Sequence, residues 1–206
     1  MKFFGINSRL YKFMDTLWTV LKLNFIWVIF SLPIVTIGPS TIAAFSVTLK
    51  MAANEEGKIF SQFFKSFKQN FKQGLIIGLI TLAVAYSCYL NFEFFNKLEG
   101  NPIIFLIAGI VILFIGLANF TYVYPLLARY DNSIMRSFKL SREITYKYFL
   151  RTILLWILVA FINVLFLFTE TLYFVGLLIG PATIFYTISG FSRRIFNEIE
   201  KENLSG

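Results

Sequence analysis

The chain contains no histidine and a single cysteine, Cys88. Without imidazole it lacks the commonest general base and metal ligand, and one thiol can neither close a disulfide within the chain nor build a metal cluster. No metal or cofactor is expected, and an enzyme is not expected. Charged residues are scarce too, at 15% of 206 residues. The glycine-rich loop that cradles nucleotide phosphates is also missing, so any energy for work would come from another chain.

What is there instead is hydrocarbon. Hydrophobic residues make up 57% of the chain and the mean hydropathy is +0.71. Soluble domains carry an apolar share of about 45–50%. The composition therefore predicts an integral membrane protein.

Its organising stretch runs from Ser31 through Pro33, Thr36, Gly38, Pro39 and Thr41 to Ala44, inside a hydrophobic segment from Leu17 to Leu49. That segment exceeds the length of one ordinary crossing, which takes about 20 residues at 1.5 Å rise each. Pro33 should end one helix, and Gly38-Pro39 suits a turn followed by a new helix start. The pattern predicts a hairpin of two membrane helices. Gly180-Pro181-Ala182-Thr183-Ile184 repeats Gly38-Pro39-Ser40-Thr41-Ile42 with one difference, Ala182 for Ser40. A cleaved signal peptide is the competing reading of the first segment, but its apolar run is longer than such signals use and another hydrophobic helix follows directly.

The expected fold is all-α: a polytopic membrane helix bundle and single domain, with six transmembrane helices as three outer hairpins plus two cytoplasmic amphipathic helices. The spans are read at about 16–33, 36–53, 74–95, 102–128, 152–168 and 172–191. The second is short, which suggests that it is tilted or partly packed in protein. Pro125 should kink the inner end of the fourth. Between the second and third lie Phe60, Phe63, Phe64, Phe67 and Phe71 at helical spacing, with Lys58, Lys65, Lys68 and Lys72 mostly on the other side. This is an amphipathic helix. It reads either as an interfacial helix on an anionic leaflet or as a docking surface for a partner. A second basic segment spans Arg129 to Arg151, and aligning Phe60 with Phe138 also pairs Phe71 with Phe149, the mark of a degenerate internal repeat.

Charge placement orients the bundle. With both termini cytoplasmic, every lysine and arginine except Lys97, in the outer turn from Asn96 to Asn101, falls on the inner side or near it. Lys22 is the one within a span, close enough to the inner end to snorkel. Basic residues interleaved with phenylalanine also resemble a nucleic-acid surface, but lipid and orientation account for their confinement to inner loops. No nucleic acid is expected.

Buried acids are what an ion-coupled transporter would show, and here Asp15, Glu93 and Glu170 all fall near span ends. Nothing fixes Glu93 and Glu170 as an acid–base pair. The remaining polar residues include Asn24, Asn119, Asn163, Thr36, Ser40, Thr41 and Thr183. Their plain reading is interhelical hydrogen bonding; the sharper one is a polar pocket formed by Thr36, Thr41, Asn119, Asn163 and Thr183 between Gly-Pro helices. Pro33, Gly38, Pro39, Gly180 and Pro181 are read as hinges shaping the membrane core. Gly74 with Gly78, and Gly176 with Gly180, are small-residue pairs that suit internal packing first and a dimer face second.

Asn24-Phe25-Ile26-Trp27, Leu32-Pro33-Ile34-Val35-Thr36-Ile37-Gly38-Pro39-Ser40-Thr41-Ile42-Ala43-Ala44, Phe67-Lys68-Gln69-Asn70-Phe71-Lys72-Gln73 and Tyr124-Pro125-Leu126-Leu127-Ala128-Arg129-Tyr130 together resemble the YesL-type family of small bacterial membrane proteins. The resemblance covers most of the chain. Members are classed as a domain of unknown function and tend to be encoded beside sugar-uptake ABC transporters. The resemblance thus implies a bacterial cell membrane protein with a role in carbohydrate import, and assigns no catalytic residue.

The leading expectation is a non-catalytic accessory subunit of a bacterial carbohydrate ABC importer that contacts the permease subunits. Phe60, Phe63, Phe64, Phe67 and Phe71 are the expected docking residues. A small stand-alone transporter or channel for a sugar-like or ionic solute is the alternative, and a membrane chaperone or signalling adaptor a third. Membrane lipid and a second copy are the other candidate partners.

Overall fold

A computed structural model describes residues 9–55, 57–98 and 102–205. Lys2 of the basic N-terminus and residues 99–101 of the expected outer turn lie outside the described residues. Among the described residues eight α-helices run in order: α1 (Arg9–Ser31), α2 (Ile37–Ala52), α3 (Ile59–Gln69), α4 (Phe71–Lys97), α5 (Ile103–Arg129), α6 (Ile134–Lys147), α7 (Phe149–Leu167) and α8 (Glu170–Ser205). A 3-10 turn, Ile34–Thr36, joins α1 to α2. Six stretches of the described residues are long and apolar enough to cross a membrane: 10–31, 34–52, 71–97, 103–129, 149–167 and 170–202. Among the described residues every regular element is helical.

Pro33 stands in extended conformation just after α1, which ends at Ser31. Thr36 closes that end, donating through its hydroxyl to the Phe30 carbonyl at 2.6 Å and the Pro33 carbonyl at 2.7 Å. Pro39 is the third residue of α2, where a missing N–H costs nothing because first-turn donors have no partner inside the helix.

The start of α2 lies directly on the start of α4. Gly38 and Pro39 face Gly74 and Gly78 so closely that a Cβ on Gly38 would collide with the Gly74 carbonyl oxygen, and one on Gly74 would sit 2.6 Å from Pro39 Cα. Backbone packs against backbone here, which only glycine permits. The contact sets the α1–α2 turn beside the α3–α4 corner. Helix α2 is packed in protein, as its short length suggested, with 56% of its most apolar window buried, against 11–17% for the other five stretches.

Gly180-Pro181 brings a correction. It starts no helix but sits inside unbroken α8, whose 36 residues run well past the expected end at 191. The internal repeat takes the form of two matching corners. One residue, Asn70 or Tyr148, separates α3 from α4 and α6 from α7. At each corner the i to i−4 bonding continues: Asn70 N–H to Ser66 O and Gly74 N–H to Asn70 O, then Tyr148 N–H to Ile144 O and Thr152 N–H to Tyr148 O.

Two hydrophobic clusters result. The larger gathers Leu23 of α1, Ile42 and Phe45 of α2, Phe63 of α3, Ile77 of α4, Val123 of α5 and Phe185 of α8 around α2. The smaller joins Tyr122 and Leu126 of α5 to Ile144, Leu155, Ile195 and Phe196.

Candidate functional site

The amino acids that interrupt the apolar segments are brought together mainly along α2 and α8. Proline at position 181 has no N–H, so the Leu177 carbonyl loses its helical donor. Asn24 of α1, only 3% exposed, fills the break. Its side-chain amide donates to the Leu177 carbonyl at 3.1 Å, and its side-chain oxygen accepts from Ala182 N–H at 3.3 Å. One side chain thus satisfies both strands of the gap. Close by, Trp27 Nε1–H donates to Thr41 Oγ1 at 3.3 Å, and about two turns further along α2 Thr48 and Ser189 share a fully buried hydroxyl pair at 2.6 Å.

Hydroxyls of α6 also bind α5, at carbonyls other than the one Pro125 leaves without a helical donor. Ser137, Ser141 and Thr145 form a hydroxyl stripe at four-residue spacing on α6, all buried. Ser141 donates to the Asn119 carbonyl at 2.6 Å and Thr145 to the Ala118 carbonyl at 3.0 Å. These carbonyls lie just upstream of Thr121, whose helical donor Pro125 removes. The stripe was legible as Ser137-Ser141-Thr145 spacing, but phenylalanine dominated the reading of this segment.

The five residues read as a polar pocket do not converge. Thr36 caps α1 and Thr41 holds Trp27. Asn119, Asn163 and Thr183 each donate to their own i−4 carbonyl, those of Ile115, Val159 and Ile179, at 2.8 Å. Asn163 is on an exposed face. Glu93 pairs with Lys97 at 2.5 Å rather than with Glu170.

The phenylalanine stripe divides. Phe30 of α1 sits among Phe60, Phe63, Phe64 and Phe67, with ring centroids 5.1 to 6.4 Å away. Phe63 is completely buried, so this member belongs to the core and presents no docking surface. Phe60, Phe64 and Phe71 keep exposed faces, 57%, 36% and 37% respectively. Lys68 lies over the Phe64 ring at 4.5 Å, so the outward part of the helix combines aromatic and cationic groups.

The extension of α8 carries an ionic seam that the sequence reading missed. Arg129, at the end of α5, donates to Asn197 and Glu200, both at 2.9 Å. Tyr130 donates to the other Glu200 oxygen, Arg151 to both oxygens of Glu198, and Lys147 pairs with Glu202. Arg193 reaches back to the Ala52 carbonyl at the end of α2. Burial pushes the Tyr130 phenol well above its usual range, and its bond to the Glu200 carboxylate pushes it further, against the opposing charge of Arg129. The signal available was the acidic run Glu198, Glu200, Glu202, whose first and last members, four residues apart, share one side of a helix continued beyond 191.

A cavity of about 730 Å³ opens where the first half of α1 meets the α2–α3 connection, lined by Tyr11, Lys12, Asp15, Asn54, Gln62 and Tyr186, among others. Asn54, in the connection, adopts a left-handed φ of 55°. Among the described residues no cluster of histidine, cysteine, aspartate and glutamate is grouped to hold a metal.

Residues 20–92 match a family model described as "Protein of unknown function, DUF624". The matched stretch holds Asn24, the Gly38–Gly74 contact and the whole of α2 and α3. It is the part of the chain in which α2 is enclosed. No curated protein and no solved structure matches the chain.

Proposed function

We propose that this chain is a non-catalytic accessory membrane subunit of a bacterial carbohydrate ABC importer that contacts the permease subunits from the plasma membrane with both termini in the cytoplasm. One observation carries the reading: Asn24, Thr41, Thr48, Thr81, Tyr124 and Ser189 within the apolar segments are bonded to one another or to backbone carbonyls of the same chain. Side chains so engaged hold a scaffold, and a scaffold acts through its surface. The YesL-type likeness supplies the partner class. Phe60, Phe64 and Phe71, with the lysines beside them, are the proposed contact.

Gentle solubilisation from the native membrane, followed by pulldown and mass spectrometry, tests this. Stoichiometric recovery of permease, ATPase and sugar-binding subunits is expected, and Phe60→Ser with Phe64→Ser should release them. Recovery of the protein alone, together with unchanged importer assembly and sugar uptake after its deletion, overturns the proposal. The 730 Å³ cavity, with its tyrosines, amides and charges, favours a stand-alone transporter as the second reading. Purified protein in liposomes would then move a sugar or ion.

A further inference from the structure

The two long hairpins, α4–α5 and α7–α8, do not close on each other completely. Between them lies a groove of about 440 Å³ that takes wall residues from all four helices, including Val84, Ala85, Leu117, Val159 and Ala160. Cys88 and Trp156 also line it. The polar atoms near it are already engaged. Trp156 Nε1–H donates to Thr121 Oγ1 at 2.9 Å, Thr81 and Tyr124 share a hydroxyl bond at 2.7 Å, and the Cys88 thiol points to the Gly109 carbonyl at 3.5 Å. What the groove offers an occupant is therefore hydrocarbon.

Size and position identify that occupant. A helix with side chains is about 10 Å across, so a single 5.4 Å turn already occupies about 420 Å³, and the groove could enclose no more than one turn of it. An unbranched hydrocarbon chain is thin enough to lie along it. The groove is continuous with the face the spans turn outward, because Leu113 and Leu117 line it and are also 45% and 40% exposed. We propose that this groove is a binding site for one acyl chain of a membrane phospholipid, which wedges between the two hairpins and completes their packing. The site is independent of the importer reading: it concerns α4, α5, α7 and α8, not the α3 surface.

Trp156 and Cys88 make it measurable, since Cys88 is the only cysteine of the chain. Two single-tryptophan proteins are placed in vesicles of phosphatidylglycerol containing a rising fraction of the same lipid with dibrominated chains. One retains Trp156 (Trp18→Phe, Trp27→Phe). The other retains Trp18, which is 56% exposed and samples bulk lipid (Trp27→Phe, Trp156→Phe). Ala160→Phe in the Trp156 protein fills the groove. Quenching of Trp156 should saturate at a lower brominated fraction than that of Trp18, and Ala160→Phe should abolish this early phase. Identical curves for both tryptophans, or an early phase unchanged by Ala160→Phe, overturn the site. The unmutated chain gives an independent readout: added phosphatidylglycerol should slow alkylation of Cys88 by a maleimide in detergent several-fold, and an unchanged rate overturns it. A Cys88–Cys88 crosslink formed in native membranes would place a second copy in the groove and equally overturn it.

Discussion

Helices α2 and α7 are both apolar enough to cross a bilayer, yet 56% of the α2 window is buried in protein and only 11% of the α7 window. The difference is written in side-chain size. Helix α2 presents Gly38, Ser40, Thr41, Ala43, Ala44 and Thr48 to its neighbours, all buried, whereas α7 turns Leu154, Ile157, Phe161 and Val164 outward. Lipid tails are as apolar as leucine, so hydrophobicity does not tell a helix which face to bury. Small residues do, by letting backbones meet, and so do hydroxyls and amides that need a partner away from water. An apolar segment of small residues is thus a core helix, and one of large aliphatics is a lipid-facing helix.

Changing the contact that encloses α2 should have the largest effect. Gly38→Leu forces the α2 and α4 backbones apart and should cost about 3 kcal/mol, seen as a lower thermal unfolding midpoint in detergent. Ile157→Ala on the outward face of α7 should change the midpoint by less than about 0.5 kcal/mol equivalent. Equal losses from the two substitutions would erase the distinction between the helices.

Next come the two asparagines. Asn24→Leu leaves the Leu177 carbonyl and Ala182 N–H without their partner, and should cost about 2 kcal/mol. Asn163→Leu, on the exposed face of α7, should cost nothing or stabilise. The same assay decides, and a neutral Asn24→Leu would show that the α8 break needs no patch.

A smaller effect is expected at the hydroxyl pair. Thr48→Val and Ser189→Ala should each cost about 1 kcal/mol, and the double variant should cost less than the sum, because each single change already removes the shared bond. Strict additivity in a double-mutant cycle would separate the two residues.

The smallest effect belongs to the half-exposed seam on the α8 extension. Tyr130 has a folded pKa above its unfolded value of about 10, so the neutral phenol contributes stability that is fully present below pH 10 and lost as pH rises through the folded value. Stability should therefore decline at alkaline pH and decline less steeply in Tyr130→Phe. Solvent screening keeps the contribution below about 1 kcal/mol. Identical alkaline profiles for the two proteins would remove Tyr130 from the account.

Much of this architecture was legible along the chain. Pro33 marks the end of α1 and Pro39 the first turn of α2 because proline is costly in helix interiors and tolerated at their starts. Gly180-Pro181 misled, since the same dipeptide is accepted mid-helix once Asn24 supplies the missing donor to Leu177 from 153 residues away in the chain. The phenylalanine stripe of α3 announced an apolar face but not its occupant, Phe30. Of the candidate pocket residues, Asn119, Asn163 and Thr183 turn to their own i−4 carbonyls, which are within reach of a helical threonine or asparagine, while Thr36 caps α1 and Thr41 holds Trp27.

Helicity, enough hydrocarbon for a membrane, the starts of most helices and the clustering of basic residues in connecting segments can be read along the chain, because propensity, hydropathy and charge are local properties. What α2 packs against, the completion of α8 by Asn24, the tie from the α8 extension to α5 through α7, and the groove between the two hairpins emerge only on folding. Those are pairings between residues far apart in the chain, and no period or composition within one segment encodes which distant partner satisfies it.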